Sequence, residues 1–291
     1  MRREYRDTFI LRNSVCDAGY AWEKAEDGEP LLVMQNKPGI GLHMQNLHAG
    51  VFREFGGLNT RQDIKKFADK YGDLFNHWSD PPHRYDGTSA LGRLLSTWTQ
   101  EIEDMRVLVN LWDHIKERNH DALKKLIFLT DEGPEYVIST PKRGKRIVNL
   151  TRAFTTLSGG SFQFPQNDVL LPARCALQIE INTRLSENRT VPELAWTRDT
   201  KETSGGHYQR IIFKPSNLLA AMWIQFAQAI TEELQMRQCE SCGEYFQVGP
   251  GAAREDARFC KDVCRVRAWV KRKNEQKSAA KTTKREKKSA R

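Results

Sequence analysis

The sequence predicts an α+β protein: a mostly helical N-terminal body with a small mixed sheet, then a compact four-cysteine module and a basic tail. Three observations predict it. Apolar residues at 3–4-residue spacing alternate with short apolar runs bounded by turn residues through residues 1–234. Four of the six cysteines then fall within residues 239–264 as two close pairs. After them the composition collapses to Lys, Arg, Ser, Thr, Ala and Glu.

Taken in order, TFILR (8–12) and PLLVMQ (30–35), with AEDGE as a turn between them, read as strands. GLHMQNLHAGVFREFGG fits neither period cleanly. In NTRQDIKKFADKYG, Asn59 or Thr60 caps a helix that turns Ile64, Phe67 and Ala68 inward and stops at Gly72. HWSDPPHRYDG (77–87) is a loop, because adjacent prolines break either period. Residues 88–118 carry the longest helical pattern, with Leu91, Leu94, Leu95, Trp98, Ile102, Met105, Leu108, Val109, Trp112 and Ile115 in phase. DALKKLIFL predicts a shorter helix, and EYVIST and RIVNL predict strands. A helix is expected over 171–185, then a polar loop, a strand at RIIFK (210–214), and an apolar helix LLAAMWIQFAQAI capped by Ser216 or Asn217. Most of 277–291 is expected to be disordered. The expected division is a body over 1–234, a finger over 235–274 and a basic tail over 275–291.

The formal charge of +9 sits in one place. Residues 265–291 hold twelve Lys/Arg against Glu275 and Glu286, so the preceding chain is nearly neutral and the C-terminus is the part suited to a polyanion. No run approaches the roughly 18 apolar residues of a membrane span. The N-terminal MRREYRDTFILRN lacks the apolar stretch of a secretory signal. A cytoplasmic protein with no membrane partner is expected, where clustered cysteines are metal ligands rather than disulfides.

Cys239-x2-Cys242, seventeen residues, then Cys260-x3-Cys264 is a spacing with a physical reason. A two-residue gap lets one tight turn present two thiolates to a tetrahedral ion, and Gly243 relieves the backbone there. The three-residue gap puts the second pair on adjacent turns at the start of a helix. A knuckle followed by a pair that opens a helix is the layout of a treble-clef zinc finger, with Tyr245 and Phe246 available for a mini-core. One structural Zn2+ is expected: four thiolates close the shell and leave no position for a reacting water. Treble clefs that act as nucleases use a histidine base, and no histidine follows His207.

On a helix starting near Asp262, Val263, Val266 and Val270 form one stripe, expected to face the metal or the body. Lys261, Arg265 and Arg272 lie roughly opposite, with Trp269 beside them and Arg267, Lys271 and Lys273 flanking. Cations beside an aromatic suit phosphate contacts with stacking or groove insertion. The order LLAAMWIQFAQAI, RQCESCGEYF, AREDARFC, CRVRAWVKRK resembles the C-terminal zinc finger of the bacterial CGNR family over about residues 216–274. That resemblance implies a stress-linked transcription regulator with a basic helix after the last cysteine. The chain reads Arg-Val-Arg where the family has Gly-Asn-Arg, so only Arg267 matches in position.

His43 and His48, and His77 and His83 with Asp80 and Asp86, match no known ligand spacing and are expected to be surface or capping groups. Cys16 and Cys175 are expected in the core, as are most of the tryptophans. SGGSF and TSGGHY are turns, and no phosphate loop, nucleophile elbow or HExxH is present, so no catalytic residue is assigned. The expected function is nucleic-acid binding, DNA ahead of RNA, by a transcription regulator whose body senses a small molecule or forms a homodimer. RNA or ribosome binding, and an enzyme that uses the finger for docking, are the alternatives.

Overall fold

Turn residues and short apolar runs set the first strands. In the computed structural model, which describes residues 11–35, 42–75, 92–140, 144–153, 164–165, 168–198, 207–249 and 252–289, these are β1 (Arg12–Cys16), β2 (Tyr20–Lys24), β3 (Pro30–Met34) and β4 (Leu42–Asn46). β1 pairs antiparallel with β4, Arg12 opposite Asn46, and β2 pairs with β3 across the Asp27–Gly28 turn. Of the strand expected at 8–12, residues 8–10 lie outside the described residues; among the described ones the strand starts at Arg12. The ambiguous stretch resolves into β4 and a short helix, α1 (Val51–Gly56), which buries Val51, Phe52 and Phe55.

Helix α2 (Arg61–Tyr71) follows the expectation closely. The Thr60 hydroxyl accepts from the Asp63 amide and the Asp63 carboxylate accepts from the Thr60 amide, a reciprocal capping box. Its amphipathic stripe buries Ile64, Phe67, Ala68 and Tyr71. Gly72 ends it at φ 95° and ψ −173°, a region open to glycine alone. A Cβ there would stand 2.3 Å from the Ser14 carbonyl oxygen. The buried Asn13 amide clamps the same place, donating to the Tyr71 carbonyl at 2.8 Å. Gly72→Ala is accordingly expected to cost at least about 2 kcal/mol, read as a lowered thermal midpoint of the body.

The helix expected over 88–118 is shorter. Gly92–Leu94 forms β5, antiparallel to β3, and helix α3 runs only from Leu95 to Lys116. α3 still buries Trp98, Ile102, Met105, Leu108, Trp112 and Ile115. The helix expected from DALKKLIFL splits into α4 (His120–Leu123) and strand β6 (Ile127–Thr130). β6 begins an antiparallel meander with β7 (Gly133–Thr140) and β8 (Gly144–Asn149), which contain the two expected strands. Helix α5 (Leu170–Glu187) matches expectation. β9 (Val191–Arg198) occupies the expected polar loop and pairs over eight residues with β10 (His207–Lys214). Helix α6 (Leu218–Thr231) is capped by Asn217, whose Oδ1 accepts from the Ala220 amide at 2.7 Å.

Small sheets surround a helical core, an α+β arrangement, but every pairing among the described strands is antiparallel rather than mixed. The core lies where α1, α3 and α6 meet: Phe52 stacks on Phe226 at 5.0 Å, and Trp112 packs edge-on to Phe226 at 5.6 Å. The Arg53 guanidinium lies 4.8 Å over Trp112 and forks onto Asp113 at 2.6 and 2.9 Å. Among the charged residues sunk into this core are Asp104 on α3 and Arg184 on α5. Among the described residues, no helix is long and apolar enough to cross a membrane.

The chain divides into two units, Met1–Leu47 with Val51–Thr231, and His48–Gly50 with Glu232–Arg291. The second consists mainly of a hairpin, β11 (Gln235–Gln238) with β12 (Tyr245–Val248), and the terminal helix α7 (Asp262–Ser289). α7 continues through the segment expected to be disordered. It contains no Pro or Gly over its 28 residues and is rich in Lys, Arg and Ala, all favourable in a helix.

Candidate metal centre

The hairpin presents the first cysteine pair in its turn. Cys239 follows β11, its amide donates to the Glu244 carbonyl at 2.9 Å, and the Gly243 amide returns to the Cys239 carbonyl at 2.9 Å. Gly243 takes φ 77°, the left-handed conformation this tight knuckle needs. The second pair straddles the start of α7. Cys260 precedes it, and Cys264 sits in its first turn with its amide donating to the Lys261 carbonyl at 3.1 Å. All four Sγ atoms lie within 4.8 Å of one another. Cys242 and Cys260 Sγ are 3.5 Å apart, and Cys260 and Cys264 Sγ are 3.6 Å apart. The cysteines are thus positioned to hold a metal ion.

Two residues that spacing alone does not reveal brace this cluster. Arg258 forks onto the Glu240 carboxylate at 2.5 and 2.6 Å, and the Glu240 amide donates to the Arg258 carbonyl at 3.1 Å. The pair ties the first knuckle to the segment leading into the second, and holds the Glu240 carboxyl below its usual range. Tyr245 and Phe246 are only half-buried; the side chain that β12 buries is Val248.

The thiols titrate unequally. Burial pushes the Cys239 thiol up, but amide donors from Cys260, Cys242 and Ser241 outweigh it and lower it to about 6. Burial raises the Cys260 and Cys242 thiols, and for Cys260 the neighbouring sulfurs raise it further. A cluster left to itself ionises one sulfur and resists ionising the next. A dication would reverse this resistance, because thiolates and not thiols are metal ligands.

The seven residues expected to meet a polyanion are all exposed: Lys261, Arg265, Arg267, Trp269, Lys271, Arg272 and Lys273. Arg265 pairs with Asp262 at 3.0 Å along the helix, Arg272 Nε reaches the Ala268 carbonyl at 3.4 Å, and Lys273 Nζ sits 4.7 Å over the Trp269 ring. The valine stripe is a correction. Val263, Val266 and Val270 are 65%, 56% and 43% exposed, so they do not face inward. Over the first turns of α7, Cys264 is buried and Ala268 half-buried, and these two positions define the inner face instead.

The other candidates separate. His43 Nδ1 contacts Asp17 at 2.5 Å on the surface, and His48 Nδ1 accepts from the Gly50 amide, so the two are not brought to a common centre. His77, His83, Asp80 and Asp86 lie outside the described residues, as does SGGSF. Cys16 and Cys175 are buried, and burial raises the Cys175 thiol to about 11. In the body, a shallow cavity of about 490 Å3 is lined, among the described residues, by Lys124, Ile127, Phe128, Leu129 and Val169, none of them a carboxylate or histidine. Compared with known proteins, the chain matches no family model, no curated protein and no solved structure.

Proposed function

We propose that the chain is a zinc-dependent nucleic-acid-binding protein, and specifically a DNA-binding transcription regulator of the bacterial kind whose finger it resembles. The metal is one Zn2+ held by Cys239, Cys242, Cys260 and Cys264. Four sulfurs on a tetrahedron of Zn–S bonds near 2.3 Å stand about 3.8 Å apart, which suits the separations of this cluster, and an all-thiolate set favours zinc. With its shell filled by protein, the ion acts as a staple rather than a Lewis acid.

The observation that carries the reading is the exposure of six cations and Trp269 on or beside the helix that Cys264 anchors. A helix anchored at Cys264 with exposed Lys and Arg side chains and an adjacent aromatic offers phosphate contacts and stacking with little further ordering cost. The neutral body would then supply sensing or dimerisation.

The test is a salt-dependent DNA titration of the zinc-loaded chain, because each neutralised duplex phosphate contributes about −0.9 to the log–log slope. Replacing Arg265, Arg267 and Arg272 together by Gln leaves all four cysteines in place. It is expected to flatten the slope by up to about 2.7. Zinc-loaded protein with no salt-dependent affinity for DNA would sink the proposal.

A further inference from the structure

The four sulfurs of the metal cluster are not equally accessible. Cys239 is 2% exposed and Cys264 7%, whereas Cys260 is half-buried and Cys242 is exposed. The two accessible sulfurs are also neighbours. Cys242 Sγ and Cys260 Sγ stand 3.5 Å apart, although the residues are 18 positions apart and belong to different pairs. Cys239 is screened further, because the Cys260 amide donates to its Sγ at 3.5 Å. Accessibility coincides with backbone freedom. Cys242 sits in the turn between β11 and β12, and Cys260 in the irregular segment before α7, whereas Cys264 is held inside the helix. A disulfide needs an S–S distance near 2.05 Å, so the 3.5 Å gap between the two sulfurs must close by about 1.5 Å. Side-chain rotation at two residues outside helix and strand can supply that movement.

Resting on the zinc part of the reading above and not on its DNA part, we propose that Cys242 is a site of oxidation by hydroperoxides, with Cys260 as its resolving thiol. In the metal-loaded cluster both residues are thiolates, the nucleophilic form. The Cys242 thiolate attacks one peroxide oxygen, the O–O bond breaks, and hydroxide leaves with the electron pair, so that Cys242 becomes a sulfenic acid. The Cys260 thiolate then attacks the Cys242 sulfur, expels a second hydroxide and forms the S–S bond. Overall, two thiolates and one hydrogen peroxide give one disulfide and two hydroxides, and the sulfurs together lose two electrons to the peroxide. Cys239 and Cys264 remain as ligands, too few to close a tetrahedral shell, so the ion is released and the first turn of α7 loses its anchor. An exposed thiolate beside a second one traps the sulfenic acid before it is oxidised further, which keeps the step reversible by a thiol reductant. The bridge that access selects joins the two knuckles, Cys242 to Cys260. Proximity in sequence alone would select Cys239 and Cys242.

The experiment treats the zinc-loaded full-length chain with hydrogen peroxide. Zinc release is followed with a metal-binding dye, free thiols are counted after denaturation, and the bridge is mapped by mass spectrometry of peptides. The expected result is release of the bound zinc with a fall in free thiols from six to four, both restored by dithiothreitol with added zinc. The mapped bridge is expected to be Cys242–Cys260. Cys260→His removes the resolving thiol and leaves an imidazole that zinc accepts. In that variant Cys242 is expected to stop at a sulfenic acid, captured by dimedone, with no bridge between the knuckles. Where the variant holds no zinc, the map of the unaltered chain decides alone. A first-formed bridge between Cys239 and Cys242 overturns the assignment. Zinc and all six thiols retained in excess peroxide also overturn it, since the cluster is then an inert staple. A purified chain without zinc removes the metal reading as well. A zinc-loaded chain that forms the Cys242–Cys260 bridge but has no affinity for DNA upholds this site and removes only the DNA reading.

Discussion

Chelating the metal, or replacing Cys239 by Ser, is expected to unfold residues 232–291 while the helical body stays folded. The second unit has little else to hold it: among its described residues, the buried side chains of the hydrophobic type are Cys239, Val248 and Cys264. Three such groups cannot offset the conformational entropy of some forty ordered residues at about 1–2 kcal/mol each, whereas a structural zinc contributes roughly 10–16 kcal/mol. Hydrogen exchange read by segment would show protection lost across β11, β12 and the start of α7, and kept in α3 and α6. Cys16→Ser removes a thiol with only a 3.4 Å contact to the Gln35 carbonyl, and should leave the finger unaffected. The pH dependence follows from the thiols. At neutral pH, Cys239, lowered to about 6, is already a thiolate, whereas burial pushes the Cys242 and Cys260 thiols up and keeps them protonated. Metal binding then expels at least two protons, so the apparent affinity should fall about 100-fold per unit as pH drops below neutral. Protection in residues 232–291 that survives chelation would show that the fold does not depend on the ion.

What was legible in the sequence is what short-range chemistry dictates. α2 could be read from Thr60, Asp63 and Gly72 because cap, capping partner and stop are all local. The cysteine cluster was legible for the same reason, since each pair is set by one turn. The errors lie where a distant partner decides. Leu94 fits the helical period of α3, but Gly92 lies against β3, where a Cβ would come within 2.9 Å of the Leu32 carbonyl oxygen, and over 92–94 the strand wins. LIFL suits a helix or a strand equally until β7 offers its edge. β9 was hidden by Pro192 and its charges, and is set by its eight-residue register with β10. Helices α3 and α5 end on Arg118 and Arg189 in the left-handed conformation, where no glycine announces the stop. The valines of α7 were assigned inward on the rule that apolar residues pack, and they are exposed. The bracing pair Glu240–Arg258 joins residues 18 apart, and no periodicity signals it.

Removing one partner of the Asp104–Arg184 pair should destabilise the body more than any surface change. The two residues are 80 apart in sequence, and each looks like the solvated side of its helix. In the fold they are 0% and 1% exposed and meet at 2.6 Å, with the guanidinium 5.9 Å from the Trp223 ring. The contact is ionic without a well-aligned hydrogen bond, since neither Asp104 oxygen, and neither Nε nor Nη2 of Arg184, has a hydrogen-bonding partner. Such a pair holds three helices in register, yet its Coulombic gain barely offsets the cost of taking both charges out of water. Asp104→Ala or Arg184→Met alone strands the other charge and is expected to cost about 3–5 kcal/mol, a fall of roughly 10 °C in the thermal midpoint of a unit this size. Asp104→Leu with Arg184→Met removes both charges and fills the space. It should recover most of that loss and could exceed the original stability. A thermal double-mutant cycle separates the cases. A double variant as unstable as the two single losses added together would mean that the charges act independently, and that packing around Trp223, rather than the ion pair, sets the cost.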